Sequence, residues 1–167
     1  MPFTYSFYTT QFTTIQEVIA HMQQLNQSLQ HSNLHNLRVF NTTYLLITQA
    51  VYTKFGQQYF DDDKRMAQFD ILFAQYYFDA LYNFANNQPC APAWQLLFTQ
   101  CQKNKLMQWQ YLALGVNAHV NNDLPLTLHD FQPEHTYLHD FQKINQLIYQ
   151  CIPEVVHSFQ EQNYIIN

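Results

Sequence analysis

The residues best placed to do chemistry fall in one run, Gly115-Val116-Asn117-Ala118-His119-Val120-Asn121-Asn122-Asp123-Leu124-Pro125. It sets five hydrogen-bonding side chains within seven residues of a segment that otherwise reads as buried helix. An unpaired buried polar group costs roughly 1–3 kcal/mol, so these groups must be paired closely or put to use. On a helix, Leu112, Val116, His119 and Asp123 follow at steps of four, three and four, which places them on one stripe. Asn117 and Asn121 form a second pair of the same spacing on a neighbouring face. Gly115, one turn before His119, leaves room for another helix or a ligand to come close.

Three chemistries fit this pattern. If Pro125 ends or kinks the helix, Asp123 stands in the last turn, where the dipole disfavours a carboxylate. Something must then offset it: a protonated His119, the backbone N–H groups of residues 126–128, or a metal. The metal reading takes His119 and Asp123 as ligands of a divalent transition ion such as Zn or Fe. Asp70 on the third helix and His139 or Asp140 on the sixth would complete it inside a bundle, giving metal-assisted hydrolysis or oxidation. No HExxH motif is present to reinforce it. The second reading is a metal-free polar pocket lined by His119, Asp123, Asn117 and Asn121, with Asp70 and Asp140 nearby, where His119 serves as acid or base oriented by Asp123, or where a small molecule binds without catalysis. The third is a non-catalytic structural or interaction protein. There Asn117, His119, Asn121 and Asp123 tie the helix end to the following loop through a buried network, with Asp140 and Asn145 as partners.

The other candidates read more blandly. His21, His31, His35 and His157 lie in polar surroundings and read as surface groups. His129, His135 and His139, with Asp130 and Asp140, could hold a metal adventitiously. Asp61-Asp62-Asp63 reads as a solvated helix cap, since it lacks the alternation and final Glu of a calcium loop. No serine or cysteine stands in a nucleophile motif.

The elements that must position these residues are helical. Thr14 and Glu17 fit a capping box opening a first helix with Ile15, Val18, Ile19 and Met22 at helical spacing. A polar loop over 27–36 precedes a second helix, about 37–55, apolar on more than one face but rich in β-branched residues, with Gly56 as its C-cap. The acidic run opens a third helix, the clearest amphipathic one, through Met66, Phe69, Phe73, Tyr76, Tyr77, Ala80 and Phe84. Pro92 or Ala93 starts a fourth with Trp94, Leu97, Phe98 and Cys101. A fifth runs from about 107 to 124, followed by a loop to about Pro133. The sixth carries Tyr137, Phe141, Ile144, Ile148 and Cys151, and Pro153 starts a last turn or two. The expected fold is all-α, a single domain over 1–167 with about six helices in an irregular bundle, the third, fifth and sixth packed together. Residues 1–12 would be an extended arm or a short edge strand. Leu128-His129-Asp130-Phe131-Gln132 recurs as Leu138-His139-Asp140-Phe141-Gln142, too little for a repeat protein.

Composition sets the outer limits. The 167 residues are 47% hydrophobic and 17% aromatic, enough for one full, aromatic-rich core. Two glycines argue against a fold of many tight turns and exclude a phosphate cradle. With a net charge of −5, seven basic residues and no basic cluster, a nucleic-acid footprint is excluded. Cys90, Cys101 and Cys151 lack metal-ligand spacing and read as reduced thiols of a cytoplasmic protein. No signal-peptide pattern and no apolar run long enough to span a bilayer is seen, so no membrane association is expected. An exposed aromatic patch, from Tyr5, Phe7 and Tyr8 or from Tyr164, could support a homodimer.

The run Asn117 to Pro125 resembles the signature of an uncharacterised bacterial family, whose members carry Asn-Ala-His-Ile-Asn-x-Asp-Leu-Pro. Val120 replaces the Ile. The resemblance extends to Tyr59-Phe60-Asp61, to the run from Phe73 to Leu81, and to Asp140-Phe141 with Ile144-Asn145, covering roughly 37–150. The family is a domain of unknown function, so the resemblance implies a helical fold and no activity, and adds weight to Asn117–Asp123 as the site.

Overall fold

The computed structural model describes residues 3, 11–133 and 137–164, with side chains up to 159. Among these, every regular element is helical. The order is α1 (Ile15–Leu29), a 3-10 turn (His35–Leu37), α2 (Arg38–Tyr52), α3 (Asp63–Ala85), α4 (Pro92–Lys103), α5 (Gln108–Ala118), a π-turn (His119–Asp123), α6 (Leu124–Phe131) and α7 (Tyr137–Tyr164). Because α5, the π-turn and α6 run on as one rod, the molecule is an irregular bundle of six helices. Most of the expected arm, with Tyr5, Phe7 and Tyr8, lies outside the described residues, as do His135, Ile165 and Ile166 and the side chain of Tyr164.

Local rules account for the boundaries. Thr14 accepts from the Glu17 backbone N–H at 3.2 Å, and Glu17 returns a carboxylate to the Thr14 N–H at 3.2 Å. The α2 rod tolerates its threonines because Thr43 and Thr48 donate back to the carbonyls of Val39 and Tyr44, at 3.0 and 2.9 Å. It packs against α1, α5 and α7 and so occupies the middle of the bundle. It ends at Tyr52, four residues before Gly56, whose φ of +77° serves the turn that follows.

Two expectations about proline are corrected. Pro125 does not end the fifth helix. The Leu124 N–H reaches back to the His119 carbonyl, an i→i−5 bond that widens one turn. Pro125 then occupies the first turn of α6, where its missing N–H is tolerated. The stretch before Pro133 is thus helix through Phe131, not loop. Likewise Pro153 lies inside α7 and does not start a new element.

Apolar side chains gather into two clusters. The larger joins α1, α2, the second half of α3, α4 and α5 around Leu25, Leu37, Phe40, Tyr77, Trp94 and Phe98. The smaller joins the end of α2, the first half of α3 and α7 around Val51, Phe60, Met66, Phe69, Tyr137 and Leu147, with Leu124, Leu128 and Phe131 of α6 against it. Gly115 sits where α5 crosses α2: a Cβ there would come within 2.5 Å of the Phe40 ring. The close approach read from the sequence is therefore real, and Phe40 is what makes it.

Candidate functional site

The centre of the bundle holds a buried carboxylate, Asp123, 1% exposed. Three side chains donate to it. Trp94 Nε1 of α4 lies 2.9 and 3.1 Å from its two oxygens, Asn122 Nδ2 lies 2.8 Å from Oδ1, and His119 Nδ1 lies 2.9 Å from Oδ2. Bonds to a charged acceptor of this kind are worth about 1.5–3 kcal/mol each. The π-turn matters here, because one extra residue in the turn shifts the inward register between α5 and α6. The buried line runs through Tyr111, Gly115, Ala118, His119, Asp123 and Thr127. Val116, expected on it, is 43% exposed.

The sequence argument for Asp123 rested on a helix end that does not exist. The rod continues for eight residues beyond it, so Asp123 meets no unfavourable dipole terminus. What holds it is the indole of Trp94, a residue the sequence reading placed on the fourth helix without a role. The available signal was that a buried indole needs an acceptor.

With Asp123 as acceptor, His119 Nδ1 carries the proton and the neutral ring presents a lone pair at Nε2. That nitrogen is buried and has no hydrogen-bond partner. The ring stacks on Phe73 at 3.6 Å and 12°, and packs against Tyr44 at 4.3 Å and Phe40 at 5.7 Å. Burial pulls the imidazole below its ordinary value, against the opposing pull of Asp123. On α3, Asp70 precedes Phe73 by three residues. Burial pushes its carboxyl up to about 7. Burial raises the Tyr44 phenol as well, with the Asp70 charge the next contributor and Asp123 after it. His119, Tyr44 and Asp70 thus bring an imidazole, a phenol and a carboxyl whose acidities are all shifted by burial to one region of the bundle.

The other expected members are dispersed. Asn121 Nδ2 donates to Asn117 Oδ1 at 2.9 Å, but on the outer, exposed face of the rod. Asn145 is exposed on α7. Asp140 is buried elsewhere, accepting from the Asp61 and Asp62 backbone N–H groups at 2.7 and 3.1 Å. His139 Nδ1 meets Asp61 at 2.6 Å, and Lys143 Nζ bridges Asp61 and Asp140 at 2.7 and 3.3 Å. The Lys143 and His139 contacts hold the Asp61 carboxyl below its usual range. Among the described residues, Asp61, His139 and Asp140 are the one group of three such donors converging within 4.8 Å. The Lys143 ammonium already sits against it, and His119, Asp123 and Asp70 are not part of it. The structure therefore divides the proposed metal set between two places.

The acidic run also does more than cap. Asp62 caps α3 by accepting from the Arg65 N–H at 2.9 Å, Asp63 accepts from the Gly56 N–H at 2.7 Å, and Asp61 meets α7. A further buried network was missed. Asn41 Nδ2 donates to the Met22 carbonyl at 2.8 Å and to Asn26 Oδ1 at 2.9 Å, and the Tyr77 hydroxyl donates to Asn41 Oδ1 at 3.3 Å. All three cysteines are free thiols, and Cys101 and Cys151 are buried. No helix among the described residues is long and apolar enough to cross a membrane.

A family of unknown function, DUF5995, matches residues 15–167. Comparison with curated proteins and with solved structures finds no match. The chain belongs to the DUF5995 family.

Proposed function

We propose that this DUF5995 member binds a small molecule at His119 and uses the imidazole as an acid–base group, with Asp123 and Trp94 holding its tautomer. We also read Asn117–Pro125 as the family's signature, with His119 and Asp123 as its working residues. One observation carries the proposal: Nδ1 is tied to a fixed carboxylate while Nε2 is buried and unpaired. A purely structural histidine has no need of that second nitrogen, which at this depth costs about 1–3 kcal/mol. An Nε2 lone pair flanked by Phe73 and Tyr44 favours a flat or unsaturated ligand bearing an O–H or N–H donor. Asp70, with its carboxyl half-protonated near neutrality, supplies a second group able to give or take a proton.

The alternative is the non-catalytic network, favoured by the completeness with which Asp123 is satisfied. Hydrogen–deuterium exchange at the imidazole C2 carbon, followed by mass spectrometry, separates the two. A reachable site predicts that His119 exchanges under native conditions, with a midpoint below the ordinary histidine value and a urea dependence much shallower than that of global unfolding. Exchange that tracks global unfolding across a urea series would reduce His119 to a structural residue.

A further inference from the structure

A second site lies at the far side of the larger cluster, where the turns before the 3-10 segment and between α3 and α4 face one another. They border an open cavity of about 560 Å3, whose apolar lining is Phe3, Leu34, Phe84, Ala85 and Pro89. Its remaining lining is made of neutral side chains: Asn33, Asn87, Gln88, Gln95, Thr99 and Gln102. No lining residue carries a charge.

Few of these polar groups are spent inside the protein. Asn33 Oδ1 accepts from the Phe3 N–H at 2.8 Å, and Gln95 Oε1 accepts from Cys90 Sγ at 3.3 Å. The Nδ2 of Asn33 and the Nε2 of Gln95 remain as donors, and the amides of Asn87, Gln88 and Gln102 and the Thr99 hydroxyl bring both donors and acceptors. The walls are pinned. Gln88 N–H bonds the Asn83 carbonyl at 2.7 Å across a turn in which Asn87 takes φ +57°, and Ser32 Oγ bonds the Leu29 carbonyl and receives the Leu34 N–H, both at 3.1 Å. Phe84 is held in place by the Phe98 ring at 5.0 Å. A fixed concave surface is thus presented with paired donors and acceptors, two aromatic rings and no net charge.

We propose that this cleft binds a neutral polyhydroxylated ligand, an uncharged oligosaccharide. Sugar hydroxyls both donate and accept, which primary amides match group for group, and the apolar C–H faces of a pyranose stack on aromatic rings. A charged ligand finds no counter-ion here, and burying its charge without one is costly. The inference is independent of the reading of His119, because the two sites share no residue.

Titration of 15N-labelled full-length protein with maltotriose, chitotriose and the acidic trimer of galacturonic acid tests it. The expected result is saturable shifts of the Asn33, Gln95 and Gln102 side-chain amide signals with at least one neutral trimer, with a millimolar or tighter Kd. Gln95→Ala and Thr99→Val should each weaken that binding about fivefold, the loss of one hydrogen bond, while His119→Gln leaves it unchanged. Linear, non-saturating shifts with both neutral trimers, equal shifts at the remote Asn117 and Asn121 amides, or tighter binding of the acidic trimer would overturn it.

Discussion

At the residue scale, the decisive group is a carboxylate with all its donors supplied by the protein. Trp94→Phe keeps the ring packing and removes the N–H that both Asp123 oxygens share. It should cost about 1–3 kcal/mol in urea unfolding at pH 7, whereas Asn121→Ala, on the exposed face, should stay within about 0.5 kcal/mol. Asp70 makes a prediction of opposite sign. Its carboxyl is raised by burial from 3.8 to about 7, so between those values the folded protein binds more protons than the unfolded chain. Its contribution therefore weakens the fold as pH rises from 4 towards 7, and the full penalty is present above 7. Asp70→Asn should stabilise the protein at pH 8 by about 1–3 kcal/mol, less than the full shift because the residue is only half-buried, and the gain should shrink towards pH 4. A melting-temperature series across pH 4–8 on both proteins checks the direction. The His119–Asp123 contact was legible in the sequence as one of three ways to hold that carboxylate, because i, i+4 spacing puts both on one stripe. Its true anchor was not, because Trp94 is 29 positions away and only the packing of α4 brings it near.

At the element scale, the π-turn is what reconciles Pro125 with a continuous rod. In an unbroken α-helix that proline would remove a hydrogen bond and clash with the preceding turn, at about 3 kcal/mol. The widened turn avoids this and also shifts the inward register between α5 and α6. Removing the exposed Val120 should force the α register, so the proline clash returns and every inward residue of α6 is turned relative to α5. The deletion should destabilise the protein by at least about 3 kcal/mol in urea melts. Pro125→Ala should recover part of that loss in the deletion background, yet change the intact protein by less than about 1 kcal/mol. Equal effects of Pro125→Ala in both backgrounds would disconnect the proline from the turn. The helices themselves were readable from spacing and caps, as with Thr14, Asp62 and Pro92. The π-turn was not, because a proline inside an apolar periodic segment gives the same signal whether the helix stops or widens. Gly115 was readable for the opposite reason: a lone glycine in such a segment has few uses besides a close crossing.

At the scale of the whole molecule, His119 stands on the seam between the two apolar clusters. Tyr44 belongs to the larger and Phe73 packs on the smaller, and the imidazole touches both rings. Among the described residues the clusters are unequal, nineteen buried members against seven, so the smaller should open at lower free energy. What fastens it at one end is polar. Asp140 of α7 accepts the backbone N–H groups of Asp61 and Asp62 just ahead of α3, and Lys143 closes the bridge back to Asp61. Asp140→Ala leaves two backbone donors without their acceptor at a part-buried site, and should cost about 2–4 kcal/mol. The loss should be local first. Native-state amide exchange should show α7 and the first turns of α3 losing protection, while Val18 to Leu25 of α1 and Phe40 to Thr48 of α2 keep theirs. If His119 serves a ligand from this seam, opening of the smaller cluster is also the route by which it is reached. The same Asp140→Ala protein should then show faster C2 exchange at His119, with no change at His21 in the larger cluster's packing against Phe78. Uniform loss of protection across α1, α2 and α7 would mean that the bundle opens as one unit and that the seam has no separate motion.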